Sequence, residues 1–196
     1  MGLLLGAAVA GCGDDDGGPT DTQVGTGTPR QFAGALGTAN AFLAIVGNDT
    51  RVNAYVCDGM DTITYAEWFE GDVVDGTFEL TSEGGLRLAG AYGDGGASGT
   101  LTLPGGSAQS FDIPLSPGAP GLYRGSLEMD GTRYEAGLIA IASGEQRGGV
   151  GLQPPPASGS PTVPIPEIDL TNPNANIASI NVTIPLREAL NAYARR

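Results

Sequence analysis

The chain has 196 residues, among them 33 Gly and 14 Pro, and its formal net charge is −13. This charge argues against nucleic acid as a partner and against a basic patch on anionic lipid, because both kinds of binding need clustered Lys and Arg. The sequence has no His, the commonest general base and metal ligand, and we predict neither a metal site nor a cofactor.

The first element is an apolar segment at residues 3–11. It is too short to span a bilayer, but it has the length of the apolar region of a secretory signal. The sequence VAGC at residues 9–12 resembles the lipobox of bacterial lipoproteins. This resemblance implies that residues 1–11 are a signal peptide and that Cys12 carries a diacylglycerol in the mature protein. We therefore expect a protein of the cell envelope, anchored by lipid on the extracytoplasmic side of a bacterial membrane.

Alternatives remain open for this segment, the simplest being an ordinary core segment in which the Cys occurs by chance. No Lys or Arg precedes the apolar residues, which departs from the usual pattern and leaves a plain secretory signal as an alternative. If Cys12 carries no lipid, it could form a disulfide with Cys57, the only other Cys. Otherwise we expect Cys57 to be a buried structural thiol, because the chain has no His to activate it.

Residues 12–34 are predicted to be a flexible tether. Three consecutive aspartates, Asp14 to Asp16, stand among Gly residues and cannot bury apolar surface. A calcium loop places its ligands on alternate residues around a Gly turn, and that spacing is absent here. We interpret the segment as a spacer between the membrane and the folded domain.

Residues 35–152 are predicted to be a β domain, because apolar and polar residues alternate and turn signals recur about every 8–12 positions. The run AFLAIV at residues 41–46 fits a strand buried on both faces, and residues 62–70 are predicted to be a strand, with one helical turn as the alternative. The many short strands with tight connections favour an all-β fold, an antiparallel meander closing as a small barrel or roll. The runs AYVCDG, EWFEG and LYRG resemble an uncharacterised β domain of bacterial envelope proteins, a resemblance that implies no activity.

The clearest local prediction is a hairpin around Asp130-Gly131, a dipeptide that favours the type I′ turn. A two-residue loop sets the register, so Tyr123 should lie opposite Leu138. One face of the hairpin then collects apolar side chains. The other face carries the opposite charges of Glu128 and Arg133.

The C-terminal part is predicted to be a Pro-rich linker over residues 153–175, followed by a short strand and helix over residues 176–196. The linker holds seven of the 14 Pro residues. Alternation over residues 179–184 indicates the strand, and the spacing of Leu186 and Leu190 indicates the helix. We expect the strand and the helix to dock on the β domain.

Three aromatic residues of one segment, Tyr65, Trp68 and Phe69, are candidates for a ligand-facing platform. The simpler interpretation is that they belong to the core. Asp58 and Asp61 could form a carboxylate pair, although capping of a turn is the usual role of Asp in such a segment. No nucleophile motif, phosphate loop or dinucleotide fingerprint is present in the sequence, so we predict no catalytic residue.

Two kinds of function fit these features. The first is a non-catalytic binding or structural module of the cell envelope, whose ligand is a partner protein, a glycan or a small molecule. The second is a hydrolase that acts on envelope glycans through two carboxylates. Such a hydrolase needs two acids that converge in one cleft, whereas for a binding module we expect the acids to be scattered at turns.

Overall fold

The structure is a computed structural model that describes residues 27–37, 40–59, 61–153 and 162–191. The predicted signal peptide, Cys12 and most of the predicted tether lie outside these residues, as do residues 154–161 of the predicted linker. No helix of the described part is long and apolar enough to cross a membrane.

The described residues fold into antiparallel β-sheets, which confirms the predicted all-β fold. The strands, numbered in chain order, are β1 (Arg30–Ala35), β2 (Phe42–Gly47), β3 (Arg51–Cys57), β4 (Ala66–Asp72), β5 (Thr77–Thr81), β6 (Arg87–Gly93), β7 (Gly96–Thr102), β8 (Ala108–Ile113), β9 (Gly121–Met129), β10 (Thr132–Ala140), β11 (Gln146–Gln153), β12 (Val163–Pro164), β13 (Asn174–Ile177), β14 (Val182–Pro185) and β15 (Arg187–Glu188). A short 3-10 helix, Ala178–Ile180, joins β13 to β14.

These strands form three sheets and a two-stranded ribbon. The central sheet has the order β1-β2-β3-β4, and the front sheet has the order β5-β6-β7-β8. The back sheet has the order β12-β11-β10-β9-β15, and β13 pairs with β14 in the ribbon. In the central and front sheets, neighbouring strands are consecutive in the chain, as expected of a meander.

The sheets stack as layers, and the strands of the described residues form no closed barrel. The reason lies in the central sheet, because all six residues of β2 are buried, as AFLAIV predicts. Leu43 and Val56 pack toward the front sheet, whereas Ala44 and Cys57 pack toward the back sheet. A barrel wall has one face toward the core and one toward the solvent. A sheet that is apolar on both faces instead needs a covering layer on each side.

The C-terminal part docks on the outer face of the back sheet. Ile177, Val182 and Ile184 of the ribbon are buried in one apolar cluster with Tyr123 and Leu138 of the back sheet. The short strand β15 also pairs with β9 at the edge of the back sheet. The ribbon therefore forms a fourth layer.

Three predicted boundaries differ from the structure. β1 begins at Arg30, within the predicted tether, because Phe32 is fully buried in the core. The predicted linker includes β12, and Ile165 just after it is buried in the cluster that contains the ribbon. The predicted C-terminal helix is replaced near its start by β15, because the edge of β9 offers backbone hydrogen-bond partners there. Residues 192–196 lie outside the described residues.

Candidate binding cavity

A cavity of about 660 Å³ lies where the edge strand of the central sheet, β4, faces the back sheet. Residues of β3 and β4 form one wall, residues of β9, β10 and β11 form the other, and the turn after β5 contributes to the rim. On the inner face of the back sheet, Leu122 and Ile139 pack against the central sheet. Further toward the hairpin turn the same face carries Arg124 and Glu135, and the cavity opens there.

The predicted hairpin is confirmed, and it sets the positions of Arg124 and Glu135. Asp130 and Gly131 have φ angles of 52° and 72°, as the type I′ turn requires. The strand pairing follows the predicted register along β9 and β10. In this register Arg124 and Glu135 project from the same face and are diagonal neighbours across the hairpin.

Trp68 and Tyr55 form an aromatic wall of the cavity. They lie directly opposite each other on β4 and β3, and their ring centroids are 4.5 Å apart. The guanidinium carbon of Arg124 lies 4.4 Å from the centroid of the Trp68 ring, within the range of a cation–π contact. The Tyr55 ring lies against the backbone of Gly137, where a Cβ atom would be 2.6 Å from it. The pKa of Tyr55 is raised well above its usual value, mainly by burial and next by the neighbouring Cys57.

Arg124 bridges two carboxylates at the cavity. Its Nη1 donates to Oε1 of Glu70 at 2.7 Å, and its Nε donates to Oε1 of Glu135 at 2.5 Å. The Glu135 side chain is 9% exposed and that of Glu70 is 45% exposed, so Glu135 is the buried partner. Burial lowers the pKa of Arg124, but the negative charges of Glu135 and Glu70 outweigh burial, and the pKa is raised overall.

The structure separates the three aromatic residues that were predicted as a platform. Tyr65 and Trp68 are half-buried and line the cavity. Phe69 is 1% exposed and packs in the core between the central and front sheets. Successive residues of a strand point to opposite faces, so Phe69 cannot share the face of Trp68. The prediction of a ligand-facing Phe69 is therefore wrong.

Asp58 caps a turn, as the usual role of Asp predicts. Its Oδ1 accepts hydrogen bonds from the backbone N–H groups of Thr64 at 2.9 Å and Tyr65 at 3.1 Å. Asp61 is exposed and is absent from the cavity wall.

Cys57 is fully buried, as expected of a structural thiol. It forms no disulfide with any residue that the structure describes. Burial is the main cause that raises the pKa of its thiol to about 11. Because the thiolate is the reactive form, Cys57 is a poor nucleophile at neutral pH.

Four residues of the cavity wall were not predicted from the sequence: Tyr55, Glu70, Arg124 and Glu135. The predicted hairpin register already places Arg124 and Glu135 on one face, and it could have indicated this pair. No local signal indicates Glu70, which meets Arg124 only because the central and back sheets are layered.

Several carboxylates lie together at the cavity, although the sequence led us to expect them to be scattered. Glu67, Glu70, Glu83 and Glu135 all line it. Only Glu83 lies in a turn, so the expectation of acids scattered at turns is wrong for the other three. Within the part of the chain that the structure describes, no group of three or more His, Cys, Asp or Glu is arranged to hold a metal ion.

No protein-family model, no curated protein and no solved structure matches this chain.

Proposed function

We propose that this protein is a lipid-anchored, non-catalytic binding module of the bacterial cell envelope, and that the cavity beside Trp68 is its binding site. The VAGC sequence at residues 9–12 supports the anchor. The binding role is carried by one observation, a cavity of about 660 Å³ with aromatic walls and a few charged groups. Concave sites of this size are typical of ligand binding. The ligand is a glycan, a partner protein or a small molecule of the envelope.

The position of the predicted anchor supports a ligand near the membrane. Eighteen peptide units connect Cys12 to Arg30, the first residue of β1. A chain of this length spans at most about 65 Å when fully extended. An anchored domain is therefore held near the membrane, where components of the envelope are concentrated.

The anchor is tested on protein purified from its native host. We expect the N-terminal peptide to begin at Cys12 and to carry the mass of acyl chains, and we expect Cys12→Ser to leave the membrane fraction. Gly17→Ser, which changes the predicted spacer only, is the control and should stay in the membrane fraction. A soluble protein whose N-terminal peptide has no acyl mass would contradict the anchor, and a disulfide between Cys12 and Cys57 would be tested next.

The binding site is tested by placing a photo-crosslinking amino acid at its rim in the native host. Thr81, at the end of β5, is exposed and lines the cavity, whereas Ser98 of β7 is exposed but is not part of the wall. We expect position 81 to capture an envelope component that position 98 does not capture, and we expect Trp68→Ala to abolish the capture. Equal capture from both positions, or none from position 81, would contradict the proposed site.

A second candidate function is hydrolysis of envelope glycans by two carboxylates. The convergence of Glu70 and Glu135 on one cavity favours it. Glycosidases with two catalytic carboxyl groups need one that donates a proton while the other is charged. Here Arg124 donates hydrogen bonds to both groups, so neither is set apart as the proton donor, and the arrangement supports binding better than catalysis.

The release of reducing ends from purified peptidoglycan decides between the two functions. We expect no release above background from the wild-type protein. Release that both Glu70→Gln and Glu135→Gln abolish would identify a hydrolase and would overturn the non-catalytic proposal.

A further inference from the structure

We infer that the cavity binds its ligand through a cationic alkylammonium group, from a free amine or from the side chain of Lys. This inference rests on the proposed binding function and names the chemistry of the ligand.

Negative charge exceeds positive charge on the wall of the cavity. Four glutamates line it, and Arg124 is the only basic residue among the lining residues that the structure describes, which leaves a formal charge of −3. A cleft lined by one sign of charge concentrates ligands of the opposite sign. The cavity therefore favours a cation over an anion or a neutral molecule.

Glu135 supplies a carboxylate to the wall of this cavity. Its side chain is only 9% exposed, and both of its contacts with Arg124 are made by Oε1. Oε2 makes neither contact, and Glu135 lines the cavity. A carboxylate oxygen forms strong, charge-assisted hydrogen bonds with an N–H donor. We assign Oε2 of Glu135 as the acceptor for the ammonium group of the ligand.

The aromatic residues strengthen the preference for an organic cation. Arg124 lies over the Trp68 ring between two carboxylates, so this part of the wall combines an aromatic surface with negative charge. Tyr65 and Trp68 offer apolar surface to the alkyl stem of a ligand beside the same carboxylates.

The spacing of the acids argues against a metal ion. Although four glutamates line the cavity, the described residues contain no group of three acids close enough to hold a metal. The charges are instead distributed around about 660 Å³, a volume in the range of small-molecule sites. An extended organic cation can contact several of these charges, whereas a metal ion cannot.

The fluorescence of Trp68 reports ligand binding at the cavity directly, because Trp68 is the only Trp of the chain. The full-length protein is titrated with acetyl-Gly-Lys-Gly-amide and followed by Trp fluorescence. The matched control peptide carries an acetylated Lys, which removes the charge and keeps the alkyl stem. Butylammonium tests the free amine. We expect saturable binding of the Lys peptide or of butylammonium, and the tighter of the two identifies the source of the ammonium group.

Variants of the wall test the assignment of the carboxylates. We expect Glu135→Gln to weaken amine binding about tenfold, because a buried hydrogen bond to a charged group is lost. Glu70→Gln, at a half-exposed position, should weaken amine binding about threefold. This variant keeps the test valid if Glu135→Gln does not fold. Glu128→Gln removes a charge from β9 outside the cavity and should leave binding unchanged.

The inference is overturned if the acetylated peptide binds as tightly as the Lys peptide, or if no amine changes Trp68 fluorescence in a saturable manner. Neither result removes the proposed binding function, because capture from position 81 would still identify a ligand of another chemistry. Loss of that capture together with tight amine binding would contradict the envelope role and leave the chemistry of the cavity intact.

Discussion

At the scale of single residues, the aromatic wall depends on a position that has no side chain. Tyr55 lies against Gly137 of β10, where a Cβ atom would be 2.6 Å from Cζ of the ring. Carbon atoms in contact are normally about 3.5–4 Å apart. Any larger residue at position 137 must therefore displace Tyr55, and with it the contact between Tyr55 and Trp68.

Gly137→Ala is expected to lower the free energy of unfolding by about 1–3 kcal/mol, because its methyl group overpacks the Tyr55 ring. Urea unfolding measures this change, and the emission of Trp68 in the folded state should shift because its neighbour moves. Gly93→Ala is the control, because a Cβ atom there meets nothing within 4 Å. It should change stability by less than about 0.5 kcal/mol. Equal stability losses in both variants would show that Gly137 does not position Tyr55.

The raised pKa of the Cys57 thiol predicts that the protein loses stability at alkaline pH. Burial holds the pKa of its thiol at about 11 in the folded protein, against an ordinary value of 9.0. A group with a raised folded pKa stabilises the fold fully below its unfolded pKa, and this stabilisation is lost as the pH rises through the folded pKa. The free energy of unfolding should therefore fall between pH 9 and pH 11, by up to about 1.4 kcal/mol per pH unit for this proton.

Urea unfolding of the wild-type protein and Cys57→Ala at pH 9 and pH 10 measures this loss. Tyrosines contribute mainly at higher pH, because their ordinary pKa is 10.0 and burial raises that of Tyr92 to about 12. We expect the fall in stability between pH 9 and pH 10 to be smaller in Cys57→Ala. An identical fall in the two proteins would mean that Cys57 is not the group that titrates.

At the scale of elements, the β9–β10 hairpin brings Arg124 to Glu135, and its turn sets the register. A slip of one residue would move both side chains to the outer face of the back sheet. Asp130 has a φ angle of 52°, in the left-handed region that Asp and Asn tolerate. A β-branched residue is strained there because its Cβ atom approaches the backbone.

Two substitutions of one exposed residue test the turn. Asp130→Val is expected to lower the free energy of unfolding by about 1–2 kcal/mol. Asp130→Asn should change it by less than about 0.5 kcal/mol, since Asn tolerates the same backbone conformation. Because Asp130 is exposed, the difference reports backbone strain and not packing. Urea unfolding that finds the two variants equally stable would exclude the left-handed conformation at this position.

At the scale of the whole molecule, the described residues form a stack of three sheets and a ribbon. The central sheet is apolar on both faces and is covered by the front and back sheets. The ribbon covers the outer face of the back sheet, where Ile184 is fully buried. The back sheet, which carries Arg124 and Glu135, is therefore supported on both of its faces.

The ribbon should contribute to the stability of the whole molecule. Ile184→Ala is expected to lower the free energy of unfolding by about 2–5 kcal/mol, because it leaves a cavity in the cluster beneath the ribbon. Thr183→Ala, at the next and exposed position of β14, should cost less than about 0.5 kcal/mol. Chemical denaturation of both variants measures the difference. A small effect of Ile184→Ala would mean that the ribbon unfolds independently of the sheets.

The parts of the fold that could be predicted are those whose sequence patterns involve residues close together in the chain. Burial of β2 on both faces followed from a continuous apolar run, and the pairing of Tyr123 with Leu138 followed from the Asp-Gly turn. The predicted start of the C-terminal helix was wrong, because β15 pairs with β9 where the spacing of Leu186 and Leu190 indicates a helix, and the chain is helical only from residue 190. Tertiary partners of this kind leave no local signal.

The site was only partly predictable for the same reason. Trp68 and Tyr65 could be proposed from their chemistry, and the two-residue period of a strand would have excluded Phe69. The lipid anchor at Cys12 remains a prediction from the sequence.

The sequence by itself determined the all-β fold, the two buried faces of β2 and the register of the β9–β10 hairpin. Alternation and turn chemistry act between neighbouring residues, so these features can be read locally. Only the tertiary structure joined Glu70 to Arg124, which are 54 positions apart in the chain. Their contact depends on which faces of two sheets meet, and that choice is made by burial of the whole core.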